Sequence, residues 1–306
     1  MFLDNIMVLF VKALFLTVMA PLVAGLIKKC KAILQNRRGP GVFQLYFDIA
    51  KWLSKDSVIS PTTSWIFKVA PFIYFACAVG AAGLSPLILF TGITVWPADL
   101  FMVLYLFVLS RFSLALASLD AGSAFGGMGG SREMYIAALV EPALLLTMLT
   151  VAFKAHSTNI MDMTVSVAGG AGGLSVIFAA AAFFIILLAE TGRIPVDNPD
   201  THLELTMVHE GMILEYSGRR LGLIVWASAI KQLVLIVIFS TLFLPWTPAI
   251  GGGASQIAWF VGKILLTAGG LALSETLANK MRLFKVPGFL AVAGLLALLA
   301  IVAGVD

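Results

Sequence analysis

Arg111 and Glu141 invite a chemical reading first, because each stands inside an otherwise apolar run. An ionised side chain in hydrocarbon costs several kcal/mol unless it has a partner, a water-filled cavity or a route to the surface. Counted from the nearer ends of their runs, Arg111 lies about seven residues deep and Glu141 about eight. At ~1.5 Å per residue both sit roughly 10–12 Å in, a matched depth that predicts a buried ion pair between adjacent spans. A purely structural pair and a proton-handling pair are equally compatible with that spacing. Further ionisable groups extend the pattern: Glu133, Glu190 and Glu275 mark the same ends of three runs, while Lys231 and Lys263 interrupt two others. Asp197, Glu204, Glu210 and Glu215 follow Glu190 closely. Carboxylates and lysines whose proton affinities are moved by burial can pass protons along a chain. The expectation is that Glu133, Glu141, Glu190, Asp197, Glu204, Glu210 and Glu215 line one connected polar cavity, with Lys231 and Lys263 as further relay candidates. The alternative is that Arg132 and Arg193 merely tie down a loop. Lys12 lies about two turns from a span end and is expected to snorkel outward.

Other chemistries lack their residues. His202 and His209 are seven apart, which puts them on one helix face but misses the i, i+4 spacing of a helical zinc pair. Cys30 and Cys77 cannot build a disulfide framework, a zinc site or an iron–sulfur ligand set. No soluble-style catalytic constellation is present, and no basic stripe points to nucleic acid. The expectation is that the chain binds no metal or redox cofactor of its own.

The elements that must position these residues are membrane helices. The chain is 60% hydrophobic and 12% charged, with a mean hydropathy of +1.01, whereas soluble domains are nearer half apolar and a quarter charged. About 20 residues of helix cross a ~30 Å hydrocarbon layer. Eight runs meet that length, near Ile6–Ile27, Ile66–Phe90, Ala98–Ser118, Glu133–Phe153, Gly172–Ala189, Leu221–Leu244, Ile257–Ser274 and Val286–Gly304. Of the 20 Lys and Arg residues, fifteen fall after spans one, three, five and seven, counting Lys68 at the first turn of span two with the loop before it; four lie deeper inside spans, and Lys154 alone lies on the other face. The positive-inside rule then places both termini outside and four loops in the cytoplasm. The fold class expected is an all-α integral membrane protein of about eight transmembrane helices, with residues 1–306 forming one polytopic domain.

Two cytoplasmic loops are long. In 28–65, Val42, Phe43, Leu45, Tyr46, Ile49, Ala50, Trp52 and Leu53 alternate with Asp48, Lys51 and Lys55 in a one-sided helical pattern. This predicts an interfacial amphipathic helix over Val42–Lys55, with Phe43, Tyr46, Ile49, Ala50 and Leu53 facing apolar surroundings. A soluble helix packed on a partner is the alternative, and a bound lipid is compatible with either. The loop 190–220 carries charges of both signs and two prolines, the composition of a docking surface or of the mouth of a hydrophilic cavity. Arg37, Arg38, Asp48, Lys51, Arg132, Arg193, His202 and His209 are the residues expected to serve docking or the cavity rim.

The run Glu190-Thr191-Gly192-Arg193-Ile194-Pro195-Val196-Asp197-Asn198-Pro199, followed by Glu204-Leu205 and Glu215-Tyr216-Ser217-Gly218, resembles the long loop of respiratory complex I subunit 1. So does Gln35-Asn36-Arg37-Arg38-Gly39-Pro40 with Phe43-Gln44, Asp48 and Lys51. Ile27, Gly41, Val196 and a longer Thr206–Leu214 stretch depart from that pattern and count against a complex I type quinone chamber. The runs Leu119-Asp120-Ala121-Gly122-Ser123, Phe125-Gly126-Gly127-Met128-Gly129, Ser131-Arg132-Glu133 and Glu141-Pro142 are more similar to the corresponding subunit of group 4 membrane-bound [NiFe] hydrogenases. The formate hydrogenlyase and energy-converting hydrogenases are of that type, and Thr201–Glu210 is also like that group. The resemblance implies hydrogenase large and small subunits and an iron–sulfur subunit docked on the two long loops, carrying the [NiFe] and iron–sulfur clusters. It further implies antiporter-like membrane subunits alongside, in a prokaryotic cytoplasmic membrane, with electron transfer coupled to proton or sodium translocation. A quinone-binding subunit of a complex I type NADH:quinone oxidoreductase is the leading rival. A stand-alone ion transporter is a rival of another class, although the chain shows no inverted repeat.

Overall fold

A computed structural model of the 306-residue chain describes residues 2–87, 98–168, 173–198, 207–244 and 253–304. Among the described residues the long helices are α1 (Phe2–Leu34), α3 (Trp65–Leu84), α4 (Leu100–Asp120), α5 (Ala124–Ala155), α9 (Gly218–Leu242), α10 (Gly253–Leu277) and α11 (Val286–Val302). Seven helical stretches are long and apolar enough to cross a membrane. The remaining expected span is α7 (Leu174–Glu190), an apolar helix of 17 residues. The chain is a multi-pass membrane protein. Among the described residues there are also three shorter α-helices, α2 (Gln44–Ser54), α6 (Ile160–Ala168) and α8 (His209–Ile213), and a 3-10 turn at Leu283–Lys285.

The bundle is organised around α9, where every residue from Ala229 to Leu242 is buried. Lipid-facing spans are apolar as well, so it is this burial on every side, with Lys231 and Gln232 included, that marks α9 as the interior helix. α3 packs between α4 and α9, α1 touches α3, α9 and α10, and α5, α7 and α11 pack on one another. Outward rows such as Phe10 and Leu14 or Leu295, Leu298 and Leu299 stay exposed, as lipid-facing surface requires. Ser and Thr inside the spans return their hydroxyls to their own helix, as Ser110 does to the Phe107 carbonyl and Thr147 to that of Leu144, both at 2.7 Å. Thr17 of α1 and Ser175 of α7 are exceptions, with buried hydroxyls that have no hydrogen-bond partner.

Two proline positions show how backbone is satisfied in this solvent. Proline has no N–H, so it frees the carbonyl four residues before it. Pro21 lies inside α1, and the Thr17 carbonyl it frees accepts from the Trp226 indole of α9 at 2.9 Å. Pro71 lies inside α3, and the Phe67 carbonyl it frees accepts from the Tyr216 hydroxyl at 2.9 Å. Tyr216 also stacks flat on the Phe67 ring, with centroids 4.0 Å apart. Burial pushes the Tyr216 phenol above its ordinary value, which keeps it a donor. An aromatic donor from another element thus closes each break.

The structure corrects several expectations. α5 begins at Ala124, so the glycine-rich stretch before Glu133 is helix and not loop. Ser123 caps it by accepting from Gly126 N at 3.1 Å, and close packing demands the glycines there: a Cβ on Gly129 would lie 2.9 Å from backbone of α8. α6 was not expected; Asn159 caps it by accepting from Met161 N at 2.9 Å. α2 does form within the expected limits, wedged between α1 and α9. Its buried face carries Leu45 and Ile49, whereas Phe43, Phe47 and Ala50 turn away from the bundle. The reason is a fixed seat. A Cβ on Gly25 would lie 2.0 Å from the Val42 carbonyl, and Tyr46 hydrogen-bonds the Val18 carbonyl. Lys12 does not snorkel; it is 1% exposed, on a stretch of α1 that Gly83 of α3 approaches at Leu9 and Ala13.

Replacing Tyr216 with Phe keeps the stacking but leaves the Phe67 carbonyl without its donor. The expected cost is about 1–2 kcal/mol, read as a lowered Tm of the purified protein. Tyr135→Phe, an exposed control, is expected to leave Tm unchanged.

Candidate functional site

Arg111 of α4 is the centre of the site. Its guanidinium faces three carboxylates from two other helices. Nη1 donates to Glu141 Oε1 at 2.7 Å, Nη2 hydrogen-bonds Glu190, and Nε lies 3.3 Å from Glu133 Oε1. Lys231 of α9 closes the cluster, with Nζ 2.7 Å from Glu190 Oε2 and over the Phe107 ring at 5.9 Å. The Glu190 side chain is 1% exposed, Arg111 6% and Lys231 9%, while Glu141 is 33% exposed. Three carboxylates against two cations leave the cluster with a formal charge of −1 if all are ionised. The ion pair expected from matched depth is therefore present, within a larger array.

Local sequence explains how Glu190 is delivered. It is the last residue of α7, and Gly192 at φ +58° reverses the chain just beyond it. Arg193 N closes the helix end by donating to the Leu188 carbonyl at 2.9 Å. The reversal sends Arg193 inward to a second buried carboxylate, Glu275 of α10, which also pairs with Lys31 of α1 at 3.0 Å. Asp197 takes Lys280 at 2.8 Å and accepts from the backbone N–H groups of Val208 and His209 at 3.3 and 3.4 Å. The Pro195 carbonyl accepts from Met281 N at 2.9 Å. The stretch after α7 is thus stitched to the end of α10 at three points.

A polar cavity of about 190 Å³ connects the two halves. Arg111, Glu133, Glu190 and Lys231 line it together with Arg193, His209 and Glu210, and so does Gln232, whose buried amide nitrogen has no hydrogen-bond partner. Ser228 bridges to Tyr74 at 3.2 Å and reaches His209 Nε2 at 3.5 Å on its wall. At about 30 Å³ per water the space suits roughly six. Glu141 borders a separate, mostly apolar cleft of about 330 Å³ that shares Arg111 and Glu190 with the cavity.

The expected residues divide accordingly. Glu133, Glu141, Glu190, Lys231 and Arg111 come together, and Glu210, Arg193 and His209 face the same cavity. Asp197 is a tie, not a wall residue, because its carboxylate is consumed by Lys280 and the α8 backbone. Glu215 is exposed beside Tyr216, and Lys263 is buried on α10 without lining the cavity. Arg132 donates to the Met207 carbonyl at 3.1 Å, which anchors the loop. Arg37, Arg38 and Lys51 are exposed, and Asp48 accepts from Gln44 at 3.0 Å. His202 and Glu204 lie outside the described residues. Lys31, Tyr74, Ser228 and Gln232 were missed: a Tyr, Ser or Gln within a span carries no signal until helix rotation is known. Among the described residues no group of three His, Cys, Asp or Glu side chains is placed to hold a metal.

The family described as NADH dehydrogenase matches residues 6–305. The chain belongs to that family, the complex I subunit 1-like membrane proteins. Formate hydrogenlyase subunit 4 of Escherichia coli is 34% identical over 283 residues, covering 90% of this chain and 91% of that one. Hydrogenase-4 component C of the same organism is 35% identical over 79% of this chain and 77% of its own length. A subunit of the NADH-quinone oxidoreductase of Anaplasma phagocytophilum is 28% identical over 78% of this chain and 77% of its own length. A chain of the membrane-bound sulfane sulfur reductase, an archaeal respiratory membrane complex, superposes with a TM-score of 0.82 over 98% of this chain and 99% of that chain. At 17% identity that likeness shows the fold. The family's fold therefore spans the whole chain.

Removing Arg111 leaves three carboxylates facing one another and Lys231 alone to balance them. Arg111→Ala is expected to destabilise by about 3–5 kcal/mol and to abolish accumulation of the folded protein in membranes. The double variant Arg111→Met with Glu190→Gln removes one charge of each sign and is expected to restore part of that accumulation, measured by immunoblot of membrane fractions.

Proposed function

We propose that this chain is the membrane subunit of a respiratory-type hydrogenase complex. It anchors a redox arm on its basic face and couples electron transfer there to movement of a proton, or a sodium ion, through the bundle. The carrying observation is the Arg111 cluster at hydrocarbon depth, joined by a polar cavity to a loop that is itself fastened to α10. The stretch tied to α10 gives the redox arm something to act on, and the cavity gives water and protons a path from there to Glu190 and Lys231. The similarity to formate hydrogenlyase subunit 4 and hydrogenase-4 component C supports a hydrogenase arm. On that reading, hydrogenase large and small subunits and an iron–sulfur subunit dock on 28–65 and 190–220, and antiporter-like subunits lie alongside. The Lys and Arg bias supports loops on the cytoplasmic side of a prokaryotic cytoplasmic membrane. The metal clusters belong to the partners, since Cys30 of α1 and Cys77 of α3 are single thiols on different helices.

The charged side chains among the cavity's lining, Arg111, Glu133, Glu190, Arg193, Glu210 and Lys231, support a proton path there. Glu141→Gln keeps the shape and most hydrogen bonding of the side chain but removes its titration. In the intact complex in sealed vesicles, that variant is expected to lower the ratio of ions moved to electrons transferred at least about tenfold. Glu204→Gln, measured in the same way, is expected to lower it too. Wild-type ratios in both variants would refute the relay.

A further inference from the structure

We infer that the cleft between α4 and α5 is the seat of a transmembrane helix of a partner subunit, one that presents an N–H or O–H donor to Glu141. The inference rests on the chain being one subunit of a membrane complex, and three observations carry it. The walls of the cleft are apolar, formed by Leu104, Phe107 and Val108 on one side and Leu144 and Leu145 on the other. In a membrane such walls alone would be ordinary lipid-facing surface. The floor is not ordinary: Glu141 is one-third exposed there, inside the membrane-spanning part of α5. Beside it Pro142 frees the Ala138 carbonyl of its helical donor, and Ala138 also lines the cleft.

The other two proline breaks set the comparison. Thr17 and Phe67 have their freed carbonyls taken by Trp226 and Tyr216 from other elements. Among the described residues no other element brings such a donor to Ala138. The cleft therefore presents acceptors, a carboxylate and a carbonyl, within a cluster of formal charge −1. The matching occupant carries a donor at that depth and apolar residues around it. Acyl chains offer no donor, and a polar headgroup would have to leave the interface to reach this depth. A helix from another subunit meets both requirements. Its volume fits as well, since about 330 Å³ admits two or three side chains rather than a whole helix. The partner helix would lie along the cleft and insert side chains into it.

The test uses the assembled complex in native membranes. Tyr105 stands exposed on the rim and Leu145 lies on the opposite wall. Each is replaced in turn by the photocrosslinker p-benzoylphenylalanine (Tyr105→p-benzoylphenylalanine, Leu145→p-benzoylphenylalanine). Irradiation is expected to shift this chain on denaturing gels by the mass of one membrane subunit. Peptide mapping is expected to place the link within a transmembrane segment bearing a Lys, Arg, Trp, Tyr, Ser or Thr near the linked residue. Adducts with lipid alone, with a second copy of this chain, or with no protein from either position would overturn the inference. Those results would leave the relay standing if Glu141→Gln still impairs coupling. Normal coupling ratios in both Glu141→Gln and Glu204→Gln together with a mapped partner helix would leave the docking seat standing and the relay refuted.

Discussion

Everything in this molecule is arranged around the difficulty of keeping charge in hydrocarbon. Arg111 resolves it by meeting Glu133, Glu141 and Glu190 on α5 and α7, and Lys231 brings α9 to the same place. Four helices are thereby drawn to one point by an interaction that tolerates little misplacement. In a bilayer the apolar faces of helices gain little from touching each other, because lipid tails are equally apolar. Close packing and polar contacts must supply the specificity instead. The glycines of α5 and the aromatic donors that meet Pro21 and Pro71 in α1 and α3 serve the same end.

The second consequence is a division of labour among carboxylates that look alike in the sequence. Glu275 and Asp197 have their charge consumed by Arg193, Lys31 and Lys280, and they hold the stretch after α7 in place. Glu133, Glu190 and Glu210 face a cavity, and Glu141 opens on a cleft. Fixed ties at one end and accessible groups at the other are what coupling requires. A loop that moved freely would not pass a displacement to the bundle, and a cluster with no accessible member could not exchange an ion. The same division separates Arg132, an anchor for the Met207 carbonyl, from Arg111 at the centre.

Much of this was legible from residue types and depth alone. Hydropathy locates each span because water and lipid differ so strongly, and the matched depth of Arg111 and Glu141 was enough to pair them. Depth, however, says nothing about rotation around a helix axis. Glu190 looked like a span terminus until Gly192 was seen to turn the chain back over it, and Lys231 could not be assigned a partner at all. Arg193 and Glu275 are 82 positions apart and meet only because α7 and α10 end at the same level. Short helices were the other blind spot. α6 has nine residues and α8 five, too few for periodicity to stand out; α6 depends on its Asn159 cap and α8 on the remote Asp197 carboxylate and tertiary contacts. For α2 the amphipathic pattern was sound but its rotation was set by the seat at Gly25, so Phe43 and Ala50 turn outward.

The unbalanced charge of the Arg111 cluster also makes it an electrical element. Its depth is about a third of the hydrocarbon layer, and moving a unit charge across the whole layer against 100 mV costs about 2.3 kcal/mol. Loading a proton from the basic face to that depth therefore works against roughly 0.8 kcal/mol per 100 mV, with the basic face on the negative side as proposed. On the proposed relay, the cluster's proton occupancy would then fall about three- to fourfold for each 100 mV of polarisation. On that proposal, an energised membrane would apply back-pressure at the cluster itself.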